Sequence, residues 1–383
     1  MNFAVIPLSL YIHIPWCVKK CPYCDFNSHA AASELPEKAY INQLLMDLQT
    51  QLHFVQNRSI ESIFIGGGTP SLFSAKAYAE LFSQLKQMIM IPDHCEITLE
   101  ANPGTTDTDR FAGYFDAGIN RISIGVQSFQ DTKLKALGRI HEFEHAKKSV
   151  KQAQAAGFKR INIDLMFGLS NQTISDALYD LKTAIDLSPT HLSWYQLTLE
   201  PNTFFYRFPP ILPDDDYRFE IQEAGRALLR DNHFMQYEIS AYSKNNPCRH
   251  NLNYWLFGDY LGIGAGAHGK ISIRSSHGSA SAIIRRNSLK HPKQYLAATA
   301  DNIALTKIVS QKELPLEFMM NALRLFQPIS IALFEARTGL PFLVIKKEML
   351  KAVEMGFLVV DKNNFQVTKK GCLFLNELLE IFL

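Results

Sequence analysis

The sequence predicts an α/β fold: a barrel of six βα repeats, open or closed, followed by a small winged-helix-like domain. Three observations carry that expectation. Short β-branched runs alternate with longer amphipathic ones up to about Asp231, a rhythm that builds a parallel sheet with its crossover helices outside. Polar residues recur at successive strand ends, which a barrel gathers on one rim. From about Ile308 the pattern turns helical and closes with a hairpin.

The strands expected are Leu8 to Ile14, Ser62 to Ile65, Glu96 to Glu100, Arg121 to Val126, Arg160 to Met166 and His191 to Leu199. Between them lie helical patterns over Glu34 to Val55, Ser74 to Ile89, Asp107 to Ala117, Glu142 to Ala156, Thr173 to Leu187 and Asp215 to Asp231. Gly118 and Gly157 stand where a helix must stop before the next strand. After Asp231 the rhythm changes. A strand over Tyr237 to Ala241, a loop at Lys244 to Pro247, the hexapeptide His250 to Trp255 and a glycine-rich strand over Leu261 to Gly269 follow. The serine-rich stretch from Arg274 to Arg286 reads as a mobile loop. Helices over Pro315 to Leu325, Ile331 to Thr338 and Phe342 to Met355 precede two short strands, Phe357 to Val360 and Phe365 to Thr368, and a last helix. The domains are thus 1–232, an extension over 233–307, and 308–383.

Composition narrows the function. Of 383 residues, 47% are hydrophobic and 20% charged, and the formal net charge is +2. With acidic and basic residues interspersed, nothing calls for a nucleic-acid partner. The winged-helix-like domain carries no basic stripe on its Phe342 to Met355 helix, so a structural or lid role is expected for it. The apolar start, Met1 to Pro15, lacks a basic beginning and a small-residue cleavage site and alternates like a strand. No run approaches the ~18 apolar residues of a membrane span. A cytoplasmic location is expected.

Six cysteines in a chain of this length do not make a disulfide scaffold. Three of them fall on one short loop, Cys17-Val-Lys-Lys-Cys21-Pro-Tyr-Cys24, and no second pair exists to complete a four-ligand zinc site. Thiolates also suit iron–sulfur clusters, which normally take four. Three would leave one iron open. Gly66-Gly67-Gly68-Thr69-Pro70 follows the second strand, where glycines let backbone approach a ligand closely. Glu100, Gln127 and Asp164 sit at or in successive strands, and Arg139 follows Gln127 after a short helix. Buried carboxylates are costly unless paired or used. Two on one rim suggest ribose or amine recognition, with Arg139 as a charge partner or carboxylate clamp; structural salt bridges are the plain alternative.

The spacing Cys-x3-Cys-x2-Cys after a first strand resembles the radical S-adenosylmethionine superfamily. The resemblance implies a partial (β/α)6 TIM-like barrel and a [4Fe–4S] cluster on Cys17, Cys21 and Cys24, with S-adenosylmethionine chelating the open iron. It places Gly67, Gly68 and Thr69 at the methionine amino end, Tyr23 against the adenine, and Tyr11 near the cluster. From Tyr11-Ile-His-Ile-Pro-Trp-Cys17 onward, nearly the whole chain resembles the oxygen-independent coproporphyrinogen III oxidase family. That family has two branches, the anaerobic oxidase and a heme chaperone. The oxidases carry a further cysteine two positions after the third, where this chain has Phe26, and begin with a substantial extension, where here sixteen residues precede Cys17. His250-Asn-Leu-Asn-Tyr254-Trp255 matches the chaperones' HNxxYW pattern.

The chaperone branch implies heme as cargo, acceptor hemoproteins as partners, membrane respiratory ones among them, a homodimer, and no catalytic residue. Neutral imidazole is a good axial ligand for heme iron, so His250 is the expected ligand. Tyr254 and Trp255 would give flat apolar surface to the macrocycle and Arg249 would meet a propionate. His13 and His268 are the other candidate ligands. The oxidase reaction is the second reading, and a cluster-sensing winged-helix regulator the third.

Overall fold

The computed structural model describes residues 6–31, 34–105, 107–274 and 280–383. Six strands run parallel and side by side: β1 (Leu8–Ile14), β2 (Ile60–Gly67), β3 (Glu96–Ala101), β4 (Arg121–Gln127), β5 (Arg160–Phe167) and β6 (His191–Gln196). Each is followed by a longer crossover helix: α1 (Glu37–Gln49), α2 (Ala75–Met88), α3 (Thr108–Asp116), α4 (Phe143–Ala155), α5 (Ile174–Asp186) and α6 (Asp215–Asp231), with the short helices Asp131–Ala136 and Phe204–Arg207 preceding α4 and α6. Side chains at the helix starts accept free backbone N–H groups, as Asp107 does from Arg110 at 2.8 Å and Asp214 from Tyr217 at 2.8 Å. Gly118 and Gly157 take the left-handed conformation just past α3 and α4, where a side chain would be strained.

The barrel is open. At one edge β6 pairs with the antiparallel β7 (Ala241–Ser243), and at the other β1 pairs with the parallel β8 (Asp259–Ile263). Beyond β8 the sheet continues through antiparallel β9 (His268–Arg274), β10 (Ala280–Ser288) and β11 (Ala304–Val309). Between β7 and β8 the short helix α7 (Arg249–Trp255) lies under the barrel. Its Cys248, Arg249 and His250 reach Glu96 at the start of β3, and Asn253 reaches Ser9 near the start of β1 at 2.9 Å. The helix therefore floors the lumen at the N-terminal ends of the strands.

Three expectations change here. Tyr237 to Ser240 is a turn, because the Glu238 carboxylate accepts the Ser240 N–H (3.1 Å) and hydroxyl (2.9 Å) and folds the chain back before β7. The glycine-rich run is two strands, since Gly264 and Gly266 adopt positive φ and turn the chain between β8 and β9. The stretch read as a mobile loop supplies β10 from Ala280 onward, held by ladders from both neighbours, which composition alone does not foretell; residues 275–279 of it lie outside the described residues.

The C-terminal segment has the winged-helix order: α8 (Leu314–Ala322), a two-residue strand Ile329–Ser330, α9 (Ile331–Thr338), α10 (Lys346–Glu354), then strands Leu358–Val360 and Asn364–Val367. Asp361 closes the hairpin by accepting the N–H groups of Asn363 (2.7 Å) and Asn364 (2.8 Å). The apolar interior forms one large cluster between sheet and crossover helices and a second that joins this C-terminal segment to Phe257 and Ile283.

Candidate functional site

The cysteine loop is pinned at both ends. Trp16–Cys17 pairs with His29–Ala30, the His29 N–H donates to Pro15 O, and the Ala31 N–H donates to Cys17 O, each at 2.7 Å. The three thiols are half-buried and unbridged at the C-terminal mouth of the barrel. Arg139 Nη1 stands 3.7 Å from Cys21 Sγ, and Ser28 Oγ 3.8 Å from Cys24 Sγ. Burial raises the free thiols of Cys17 and Cys24, which Thr69 and Ser28, respectively Phe26 and Ser28, partly offset by hydrogen bonding. Among the described residues no three His, Cys, Asp or Glu side chains converge on a single ion. That is compatible with a cluster, whose thiolates each bind a different iron.

A cavity of about 480 Å³ runs from these thiols down the lumen to Asn251 on α7. Gly67, Gly68, Thr69, Glu100, Gln127, Arg139, Asp164 and Tyr23 all line it. The glycines answer to crowding: a Cβ on Gly68 would stand 2.5 Å from Trp16 O, and one on Gly67, at φ +113°, would stand 2.7 Å from both His13 ring nitrogens. The amide hydrogens of this segment are already used, Gly67 N–H on Glu100 (3.2 Å), Gly68 N–H on Ile14 O (2.7 Å) and Thr69 N–H on Trp16 O (2.7 Å). An ammonium group placed there meets acceptors rather than competing donors.

Burial pushes the Glu100 carboxyl up to about 8, helped by Asp164 across the lumen and opposed by the Gly67 N–H. Asp164 is raised too, chiefly by burial, although Ser123 (3.0 Å) and Asn162 (2.8 Å) donate to it. Gln127 holds a positive φ of 70° where β4 bulges, and its side-chain Oε1 accepts from the Tyr195 hydroxyl at 2.7 Å. Such strain in a non-glycine residue is a mark of a binding site. Arg139 donates from Nη2 to Gly125 O (2.7 Å) and Asn102 Oδ1 (3.0 Å), while its buried Nε has no partner. An orphaned guanidinium N–H of this kind suits a carboxylate. Three thiolates, acceptors for an amine and a donor for a carboxylate thus fit a cubane with the methionine end of S-adenosylmethionine.

Several lumen residues escaped the sequence reading. Arg121, Ser123 and Gly125 on β4, Asn162 on β5, and Ser193 and Tyr195 on β6 face the same cavity as the expected Gln127 and Asp164. The signal was a period of two inside the strands, polar or glycine inward against Ile122, Ile124 and Val126 outward; attention to strand ends alone passes over it. Asn102, which donates to Thr69 Oγ1 at 2.9 Å, carried no such pattern.

Other expected residues lie elsewhere. Tyr11 is outside the cysteine-lined cavity; its hydroxyl bonds His13 Nδ1 at 2.9 Å and its ring faces a second cavity. His250 is only 1% exposed, with Nδ1 on Ser62 Oγ and Nε2 on the Tyr254 hydroxyl, both at 2.9 Å. In this conformation neither nitrogen is presented to a metal, because α7 packs the ring into the floor. Burial, with Arg121 nearby, holds this imidazole down at about 3, although Glu96 pulls the other way. Arg249 donates to His94 O (3.0 Å) at the far end of the barrel, and Trp255 packs under the Arg324 guanidinium, 4.4 Å away, against the C-terminal core. Neither faces the lumen cavity.

Comparison with known proteins agrees with this architecture. Residues 11–184 match the radical SAM superfamily model and residues 309–374 the HemN C-terminal domain model. A protein described as heme chaperone HemW from Haemophilus influenzae is 52% identical over 98% of both chains. Those similarly described from Escherichia coli and Bacillus subtilis are 48% and 32% identical, over 98% of this chain in each case. Among solved structures, the radical SAM coproporphyrinogen III oxidase of Escherichia coli superposes with a TM-score of 0.82 at 23% identity, over 99% of this chain and 90% of that one. No helix among the described residues is long and apolar enough to cross a membrane. With full-length identity of this order, a matching superfamily model over the cysteine loop and a matching C-terminal domain, the chain belongs to the HemW family within the radical SAM superfamily.

Proposed function

We propose that the chain binds heme and hands it to an acceptor hemoprotein, with Cys17, Cys21 and Cys24 holding a [4Fe–4S] cluster and the lumen holding S-adenosylmethionine. The observation that carries the reading is the 52% identity, over 98% of both chains, to a protein described as a heme chaperone. Phe26 supports it: it stands where the oxidases have their additional cysteine, and at 59% exposed it projects into the cavity mouth.

When bound, the cluster with its sulfonium ligand supplies one-electron chemistry. The chain's own residues prepare the place. Arg139 would clamp the ligand carboxylate, Glu100 and the Gly67–Thr69 segment would hold its amine, Gln127 and Asp164 would hold the ribose, and Tyr23 would cover the adenine. His250 reaches heme iron only if both of its hydrogen bonds open; in the closed arrangement it holds Tyr254 in the floor. The assembly proposed is a homodimer, and the acceptors are hemoproteins, membrane respiratory ones among them.

The test pairs two assays on the anaerobically reconstituted full chain. Heme titration is expected to give a saturable Soret shift. Conversion of coproporphyrinogen III to protoporphyrinogen IX with S-adenosylmethionine and a reductant would overturn the chaperone reading in favour of the oxidase.

A further inference from the structure

A second cavity, of about 570 Å³, lies beside the first and shares Phe26, Phe64, Gly67 and Glu100 with it as a common wall. Its size falls within the ~300–1,000 Å³ of small-ligand and cofactor sites. No cysteine lines it. One part of its wall is aromatic, where Tyr11 stacks on Phe64 with ring centroids 6.4 Å apart and an interplanar angle of 20° and Tyr254 meets Tyr260 edge-on at 4.4 Å, while Asp25, Asn27, Ser28 and Glu100 make the rest polar. Two exposed cations, Lys20 and Lys290, stand at its rim. Lys20 is steadied by donating to Phe26 O at 3.1 Å.

Three histidines line this cavity, and two of them are engaged. His13 donates from Nε2 to Asn27 O (2.8 Å), which fixes its Nδ1 as the acceptor of the Tyr11 hydroxyl. His29 Nε2 is 3.2 Å from Asn27 Oδ1. His268, the first residue of β9, is exposed, and nothing among the described residues hydrogen-bonds its imidazole. Its backbone is nonetheless fixed by the ladder, opposite Asn287 on β10. A free imidazole on a rigid strand, facing aromatic walls beneath a rim of two lysines, has the parts a dicarboxylate metallomacrocycle requires: an axial nitrogen, flat apolar surface, and two cations for two carboxylates.

We propose that this second cavity is the heme seat, with His268 as axial ligand to the iron and Lys20 and Lys290 meeting the two propionates. The inference rests on the heme-chaperone reading and deepens it by naming where the cargo sits. It gives Tyr254 of the HNxxYW motif a place in the wall, with His250 behind it as a positioning residue. Partial desolvation and the neighbouring Lys290 and Arg285 lower the His268 imidazole from its ordinary value.

The experiment titrates ferric heme into the full, cluster-reconstituted chain and into His268→Ala, His250→Gln and the double variant Lys20→Gln/Lys290→Gln. The cluster absorption band serves as the check that each variant is folded. The expected result is that His268→Ala moves the Soret maximum and weakens binding at least about tenfold, and that added imidazole restores the spectrum. His250→Gln keeps the wild-type Soret position, and the double lysine variant binds more weakly with the maximum unmoved. A wild-type spectrum and affinity in His268→Ala overturns the assignment, and a shift confined to His250→Gln transfers the ligand to the motif. If the unmodified chain binds no heme at all, the chaperone reading itself falls, a result distinct from either.

Discussion

Replacing Glu100 with glutamine separates what this carboxyl does to stability from what it does for the ligand. The group is half-buried in the lumen wall and titrates at about 8, driven up first by burial and then by Asp164. Its ordinary value is 4.5, so the folded chain holds the proton more tightly than the unfolded one. Stability from this proton is complete below pH 4.5 and drains away as the pH climbs toward 8. At about 1.4 kcal/mol for each tenfold in proton affinity, the rise is worth at most roughly 4–5 kcal/mol. Water in the cavity screens the charge, which brings the expected difference down to roughly 1–3 kcal/mol. Glutamine keeps an acceptor for the Gly67 N–H, 3.2 Å away in the native chain, and never ionises. Urea unfolding of the chain free of S-adenosylmethionine, at pH 5, 6, 7 and 8, should show the variant level with the parent at pH 5 and progressively more stable by pH 8. The same variant should bind S-adenosylmethionine more weakly, since the amine loses its carboxylate. A stability gap that stays constant with pH, or a variant less stable at pH 8, would refute the reasoning.

Three further perturbations probe other parts of the site. Gly67→Ala forces a side chain into the His13 ring at φ +113°; left-handed strain and overpacking together should cost roughly 2–4 kcal/mol in urea unfolding, and an unchanged midpoint would mean β1 yields. Cys24→Ala should abolish the visible cluster absorption after reconstitution while leaving far-ultraviolet circular dichroism intact, because one iron then lacks its thiolate; a retained band would remove Cys24 from the ligand set. Glu96 accepts from Cys248 (3.2 Å), from the backbone of Arg249 and His250, and pairs with Arg160 at 2.6 Å. Glu96→Ala should therefore cost roughly 3–5 kcal/mol by removing the carboxylate that faces the buried Arg121 guanidinium and accepts the buried His250 N–H, and should speed amide exchange through residues 249–255; exchange confined to other segments would show that α7 does not depend on it.

Glu100 and Gln127 were legible because they sit at strand ends, which strand periodicity locates to within a residue or two, Asp164 because it is a carboxylate inside a strand, and Arg139 because it follows Gln127 after a short helix. Glu100, Gln127, Arg139 and Asp164 all reached the expected cavity. The surroundings of the residues expected to face heme were not legible in the same way. A histidine in a short motif reads alike whether its nitrogens face a ligand or a neighbour's hydroxyl, and Ser62 lies 188 residues from His250. Arg249 and Trp255 misled for the same reason: they share a seven-residue helix with His250, yet that helix points them at His94 and at the C-terminal core.

The three cysteines, the glycine segment and the alternation of strand and helix are local features, so the sequence alone determined the parallel barrel, the cysteine loop and the winged-helix order. Whether a polar side chain faces the lumen or packs into the floor depends on contacts across the whole chain. Only the tertiary structure could decide that the barrel stays open, extended past β1 by β8 to β11. It also decided that α7 closes the floor with His250 inside it, and that His268, one of the three histidines the sequence offered as ligands, has no hydrogen bond to its imidazole among the described residues. Register along one strand is set by neighbours two residues apart; the pairing of surfaces is set by residues hundreds apart, which no local pattern encodes.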